Sequence, residues 1–398
     1  MTMLQHTGAA LLLLLAALCG PLTQGIGAEE TGVEPAILVG ATVSLEGKYK
    51  PTSGMITDAY RLWEKQVNAR GGLLGRPVRL ILYDDHSEPS LVDGLYEKLI
   101  SEDRVDLVLS PYGTPLTLPA SSVSERHRRV MLAAAASGKA IWERGYRHVF
   151  GVYALADRYF IGQLDLMARH GLNTVSIIYE NSPFNSDVAD GASAWAERFG
   201  ITLAMKSAFT DGALELPGLL EAAARHNAHG LIVSAYPADL YRALRLMQDR
   251  QWRPGATGMP IAPTMPDFMD KAGPIGEGVF GPSQWEPDER IPFPGTRQFI
   301  SDFVAFSGRQ PSYHAGSAYA ACGILEAVVR QIGAIDHEKI RERVAAMDTV
   351  TVIGRFKVDA TGKQIGHNPL LVQWQQGRKE IVYPVKMRTA PAIFSTSP

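Results

Sequence analysis

The feature that most constrains this chain is an alternation. Short apolar runs recur along it, and most are followed by a stretch with apolar residues at helical spacing. ILVGATV (37–43), VRLILYD (78–84), DLVLS (106–110), HVFGV (148–152), TVSIIYE (174–180) and GLIVSA (230–235) read as strands. Helices are predicted over Asp58–Ala69, where the glycines of RGGLLG (70–75) stop the first, over Leu91–Ser101, and over 158–170, 187–199 and 238–250. Parallel strands cannot be joined by a tight turn and need a crossover, usually a helix. This order therefore predicts an α/β fold, parallel sheets with helices on both faces.

The C-terminal third is less regular. Residues 256–295 are rich in Pro and Gly and carry little periodicity. Helices are predicted over 297–306 and 316–332. TVIGRFKVD (351–359) and NPLLVQWQQG (368–377) are expected to pair as a hairpin, turned by DATGKQ (359–364).

A chain of 398 residues is long enough for two domains. Its net charge of −2 comes without a basic stripe, so no nucleic-acid partner is expected. AALLLLLAAL (9–18) is too short to span a bilayer as a helix, which takes about 20 residues. It reads as the apolar part of a secretory signal over residues 1–28, with cleavage after Ala28 and a periplasmic destination. Lipid attachment would use Cys19, but Leu18 stands where a small residue is wanted, so no anchoring is expected there. Once Cys19 is removed, Cys322 is left alone and no internal disulfide can form. Its setting, YAACGILEAVV (319–329), reads as a core helix.

In open parallel sheets, ligands bind beyond the carboxyl ends of the strands, where helix N-termini offer free N–H groups. Four loops have that position: SLEGKYKPTSG (44–54), SPYGTPLTLPASS (110–122), AAAASGKAIWERG (133–145) and YENSPFNSDVADG (179–191). Thr114-Pro115 reads as an N-cap followed by a proline at the first helical position, and Ser137-Gly138 stands before a second helix. Two hydroxyls at adjacent helix N-termini suit a small carboxylate. The same two residues could instead serve only as caps. Asp84-Asp85-His86 reads as a solvated strand end, and His226 and His229 as a polar helix terminus, so no metal site is expected. The chain has no Walker loop, no G-x-S-x-G, no H-E-x-x-H and no C-x-x-C. No catalytic residue and no cofactor are expected, and the chain reads as a non-enzyme.

ILVGATVSLEG (37–47), VNARGGLLGRPVRLILYDDHSEP (67–89), PLTLPAS (115–121) and ERGYRHVFG (143–151) together resemble, in type, order and spacing, the periplasmic leucine/isoleucine/valine-binding protein family, the type I solute-binding proteins of ABC transporters. The resemblance covers mainly the first 150 or so mature residues. It implies two Rossmann-like lobes joined by three crossing strands, with a ligand cleft between them. Lobe 1 would comprise 36–153 plus 285–348, and lobe 2 would comprise 154–284 plus 349–389. The crossings would fall near 152–156, 282–286 and 347–351. It also implies that Thr114, Ala135 and Ser137 hold a ligand carboxylate while Phe184 and Tyr236 close over it from the second lobe. Some members carry a disulfide near YDD; here its places are Ser87 and Gly113. Amino-acid-binding members often hold the ligand ammonium with a second-lobe acid. The stretch PIAPTMPDFMD (260–270) shows none at that place, which leaves Asp267 and, at the hinge, Glu286 as candidates. The expected function is capture of a small carboxylate-bearing ligand, foremost an apolar amino acid, and delivery by a monomer to the membrane permease of an ABC transporter. The alternatives are a non-amino carboxylate, amide or aromatic acid, and a ligand-sensing role for a partner receptor.

Overall fold

The computed structural model describes residues 35–394. The expected signal segment 1–28 and Cys19 lie outside the described residues. Five strands form the first sheet: β1 Ile37–Val43, β2 Val78–Asp84, β3 Leu107–Leu109, β4 Met131–Ala133 and β5 Val149–Gly151. All pair in parallel, in the order β2-β1-β3-β4-β5. β1, β3, β4 and β5 are buried almost throughout, as expected of a parallel sheet covered on both faces. The covering helices are α1 Lys50–Ala69, α2 Pro89–Glu97 and α3 Gly113–Arg126, joined later in the chain by α9 Thr296–Ser307, α10 Tyr313–Ile332 and α11 His337–Ala345. α1 packs along α10, and their contact includes a polar tie: Glu326 accepts from Trp63 Nε1 at 2.8 Å and from Arg70 at 3.0 Å. Cys322 is buried in α10, as its apolar setting predicts.

The second sheet takes β6 Thr174–Glu180, β7 Thr202–Phe209, β8 Gly230–Ser234, β9 Ala256–Gly258, β10 Phe280–Ser283, β13 Leu370–Gln375 and β14 Arg378–Tyr383, in the order β14-β13-β10-β9-β8-β6-β7. β6 to β10 run parallel, and β13 and β14 add an antiparallel edge. α4 Ile161–Arg169, α5 Pro183–Arg198, α6 Gly212–His226, α7 Pro237–Asp249 and the short α8 Phe268–Ala272 complete this half. β7 and α6 had no counterpart in the sequence reading. Among the described residues, no single helix is long and apolar enough to cross a membrane.

The chain passes from the first sheet to the second directly after β5 and returns after β10. These two crossings are bonded to each other: Ala154 N donates to Gln284 Oε1 at 2.9 Å, and Gln284 Nε2 to Ala154 O at 3.2 Å. Both fall where the resemblance put them. The expected third crossing, near 347–351, is instead occupied by a hairpin of β11 Asp348–Thr351 and β12 Gly354–Lys357. That hairpin and the loop after it stay with first-sheet elements: Thr296 Oγ1 donates to Val352 O at 2.6 Å, and Gly151 N to Gly362 O at 2.8 Å. The chain rejoins the second sheet only at Leu370. Gln364 Nε2, bonded to Val152 O at 3.2 Å, ties this last passage to the first crossing.

The pairing expected between 351–359 and 368–377 does not form. Each segment finds a nearer antiparallel partner across a tighter turn, which closes a shorter loop at lower entropic cost. In the β13–β14 turn, Gln376 and Gly377 both have positive φ, 53° and 71°, as a type I′ hairpin requires.

Candidate functional site

Ser110, the residue after β3, is tied to α1 and to the loop after β4. Ser110 O accepts from Tyr60 OH at 2.8 Å, and Ser110 Oγ accepts from Ala134 N at 2.9 Å. Gly113, at φ +76°, then turns the chain into α3, and its N–H donates to Ala135 O at 3.1 Å. Tyr112, not Thr114, holds the cap position, and no side chain caps the helix. Thr114 lies inside the first turn. Its Oγ1 accepts from Gly138 N at 3.0 Å, so its own hydroxyl hydrogen remains free to donate. Gly138 is required for this approach, since a Cβ there would stand 2.5 Å from Thr114 Cγ2. Ser137 caps nothing either: it precedes a single 3₁₀ turn over Lys139–Ile141, and its Oγ lies 3.2 Å from Tyr159 OH. The capping alternative therefore describes neither hydroxyl.

The facing wall comes from the second half. Ser182 caps α5, accepting from Asn185 N at 3.4 Å, and so sets Phe184 on the first helical turn. Tyr236 precedes α7, and its N–H donates to Glu180 Oε2 at 3.2 Å. Tyr159 meets Phe184 edge-on at 5.5 Å, Phe184 lies 6.1 Å from Tyr236, and Tyr236 meets Tyr49 of the first half at 4.7 Å. The wall includes Ile261, a β-branched residue at φ +61°, a conformation that costs energy and concentrates at functional sites. Tyr153 from the first crossing and Tyr313 and His314 from the start of α10 complete the enclosure.

These groups surround a small cavity. Thr114, Ala135, Ser137, Phe184 and Tyr236, the five residues expected at the ligand, all line it. Tyr112, Tyr153, Tyr159, Ile261, Tyr313 and His314 also line it and were not anticipated. The only signal for the last two was an aromatic pair at the head of an apolar helix, which reads equally well as core.

The two candidate acids stand elsewhere. Asp267 is close to half exposed and pairs with Lys271 at 2.7 Å. Glu286 is buried but pairs with Lys379 at 2.6 Å, and neither acid lines the cavity. Asp85, read as part of a solvated strand end, is fully buried and accepts from Thr42 Oγ1 at 2.9 Å, Ser44 Oγ at 2.5 Å and Ser87 N at 3.0 Å. It organises the first cleft loop rather than facing water.

Electrostatically, cavity and rim differ. Among the described residues, no Asp, Glu, Lys or Arg lines the cavity. Burial, then the charge of Lys379, holds the His314 imidazole down to about 3, so it is neutral at ordinary pH. Burial likewise pushes the Tyr159 phenol up to about 12 and raises those of Tyr153 and Tyr236. Around the seam, charges pair between the two halves: Lys48 with Glu180 at 3.2 Å, and Lys139, through its backbone N–H, with Asp187 Oδ2 at 2.7 Å. The arrangement is that of a closed pocket that can hold one anionic group by hydroxyls and a helix N-terminus while aromatic rings cover the rest.

Comparison with known proteins agrees with this geometry. The periplasmic binding protein family matches residues 36–379. A leucine-, isoleucine-, valine-, threonine- and alanine-binding protein of Pseudomonas aeruginosa is 21% identical over 316 residues, 78% of this chain and 83% of that protein. A leucine-binding protein from Thermotoga maritima superposes with a TM-score of 0.79 at 15% identity, covering 87% of this chain and 97% of that one. An ABC-transporter solute-binding protein from R. palustris, solved with benzoate, superposes with a TM-score of 0.77 at 18% identity, covering 91% and 98%. The fold is that of the type I binding proteins, two α/β lobes joined by crossing strands, and the chain belongs to the periplasmic binding protein family.

Proposed function

We propose that this chain is the exported solute-binding component of an ABC uptake system, and that its cleft takes a small aromatic or similarly planar monocarboxylic acid without an ammonium group. The single observation that carries this reading is the composition of the cavity wall: five tyrosines, a phenylalanine, a neutral histidine and two hydroxyl residues, with no carboxylate. A buried ammonium without a charged partner would cost several kcal/mol, roughly. A carboxylate finds donors here: the free hydrogen of Thr114 Oγ1, the Ser137 hydroxyl and the Thr114 N–H in the first turn of α3, where the helix dipole favours negative charge. The Tyr236 hydroxyl lies beside that helix start, 3.9 Å from where a Cβ on Gly113 would stand. The benzoate bound to the R. palustris structure supports the same class.

Capture would proceed by rotation of the lobes about the bonded crossings, ending in the closed state described above. We read lobe 1 as running through β5 and from the second crossing to the loop before Leu370, with the rest forming lobe 2. The second reading, an apolar amino acid, is favoured by the name of the P. aeruginosa relative. Calorimetric titration of the purified protein with benzoate, phenylalanine and leucine separates the two. Tighter binding of benzoate supports the proposal; leucine or phenylalanine binding more tightly than benzoate would overturn it in favour of the amino acid.

A further inference from the structure

Ile261 is the cavity residue whose conformation most needs support. At φ 61° and ψ −69° it is the centre of a γ-turn, closed by Ala262 N donating to Pro260 O at 2.6 Å. This form of the turn is rare and strained, and such a residue persists only where its surroundings over-determine it. The residues that follow do so in series. Ile261 O accepts from Thr264 N at 3.0 Å and from Thr264 Oγ1 at 2.6 Å. Pro263 O accepts from Trp374 Nε1 of β13 at 2.8 Å, and Thr264 O accepts from Lys379 Nζ of β14 at 3.0 Å. Lys379 in turn meets Glu286 of the second crossing at 2.6 Å, close to Gln284, which bonds to the first.

Resting on the reading of this cavity as the ligand site, we propose that Lys379 and Glu286 are positioning residues for ligand binding: they hold the Ile261 turn in its strained form and tie it to the second crossing. Neither lines the cavity, so neither touches the ligand. Glu286 is buried, and the Lys379 side chain is only 15% exposed. A buried ion pair adds little net stability over well-packed apolar residues of similar volume, so stability alone does not account for one here. Geometry does. An ammonium carries three donors, and one group can therefore bond the carbonyl behind the wall and the carboxylate of the crossing at once. A rotation about the crossings that disturbed this contact would also loosen the turn. Hinge position and cavity shape are thereby set together, at a distance from the hydroxyls that receive the ligand.

The test reads affinity and stability on the same variants. Wild type, Lys379→Met, the double variant Glu286→Met with Lys379→Met, and Thr264→Val are titrated calorimetrically with whichever of benzoate, phenylalanine and leucine binds wild type most tightly. Their melting temperatures are taken without ligand. Lys379→Met strands a buried carboxylate and should lower both melting temperature and affinity. The double variant removes the stranded charge and should melt near wild type, yet bind roughly tenfold more weakly, the scale of one lost hydrogen bond. Thr264→Val deletes the hydroxyl bond to Ile261 O without touching the ion pair and should weaken binding in the same direction. A double variant that regains both wild-type melting and wild-type affinity would overturn the proposal and leave the pair a purely structural contact. Should the double variant fold poorly, Thr264→Val decides: wild-type affinity there would overturn the proposal, because the turn would need none of this support. Which probe binds wild type most tightly judges the acid reading separately. Binding of none of the three would overturn the reading of the cavity as the ligand site, and this inference with it.

Discussion

The cavity and the seam around it handle charge in opposite ways. Inside, every lining side chain among the described residues is uncharged, and the one imidazole there is kept neutral by burial. At the seam, Lys48 meets Glu180 and Lys139 meets Asp187 across the two lobes, with Lys48 about half exposed. The difference follows from solvation. A surface ion pair is weak and salt-screened, which would suit a contact that breaks if the cleft opens as proposed. A charge buried inside would be costly whenever the ligand did not match it. On the proposed function, recognition would be left to hydroxyls, a helix N-terminus and aromatic faces, and closure to pairs that water can replace.

The most direct way to break this contrast is to put a carboxylate inside. Ile261→Asp should weaken binding of an acid lacking an amine by about 3 kcal/mol or more, the scale of an unpaired buried charge. It should also shift preference toward the corresponding amino acid. Ile261 sits at φ 61°, ψ −69°, outside the left-handed region aspartate favours, so the variant's melting temperature is read beside wild type to confirm the fold. Unchanged affinity for benzoate would show that Ile261 does not face the ligand.

Removing a donor should cost less. Thr114→Ala and Ser137→Ala should each weaken acid binding by roughly 1.5–3 kcal/mol, as for hydrogen bonds to charged groups. Thr114→Ser keeps both the Gly138 bond and the free hydrogen and should restore most of the loss. Titration of the three variants decides the matter; wild-type affinity in Thr114→Ala would return that residue to a purely structural role.

Acid should test the neutrality of the interior. The imidazoles of His314 and His337 are held by burial down to about 3 and about 4. Below an unfolded value of about 6.5 the unfolded chain takes up protons that the folded chain refuses, so stability falls as pH drops. For each histidine the loss approaches 1.4 kcal/mol, roughly, per pH step down to its folded value. Denaturation midpoints at neutral pH and near pH 4.5, about two steps lower, should show this slope, and His314→Phe should flatten it. An identical slope in that variant would mean that other groups carry the acid sensitivity.

The smallest effect belongs to the seam. Lys48→Ala should weaken ligand binding by no more than about 1 kcal/mol, and the difference should vanish near 1 M salt, where screening acts within about 3 Å. A larger, salt-independent loss would show that the cation over Tyr49 and Tyr236, 5.1 and 5.0 Å from their centroids, helps shape the cavity itself.

What the amino-acid sequence alone determined is whatever a local pattern can carry. The alternation of buried strands and amphipathic helices settled the α/β class. The breaks after β3 and β4 marked Thr114 and Ser137, because loops beyond parallel strands share one edge of the sheet, while Phe184 and Tyr236 were singled out only by the family resemblance. Tertiary structure alone decided the rest. Tyr153, Tyr313 and His314 come from a crossing and a helix start far apart in the chain, and nothing in their neighbours' spacing distinguishes a cavity wall from a core. The lobe boundary we propose leaves residues 349–364, expected in lobe 2, with lobe 1, because β11 and β12 pair with each other and the following loop bonds to first-sheet elements. Asp85 became a buried acceptor only because Thr42 and Ser44 on a neighbouring strand and loop aim at it. Asp267 and Glu286 failed to reach the cavity for the same kind of reason. Each carboxylate found a lysine in its own surroundings, and which charges meet is decided by the fold, not by distance along the chain.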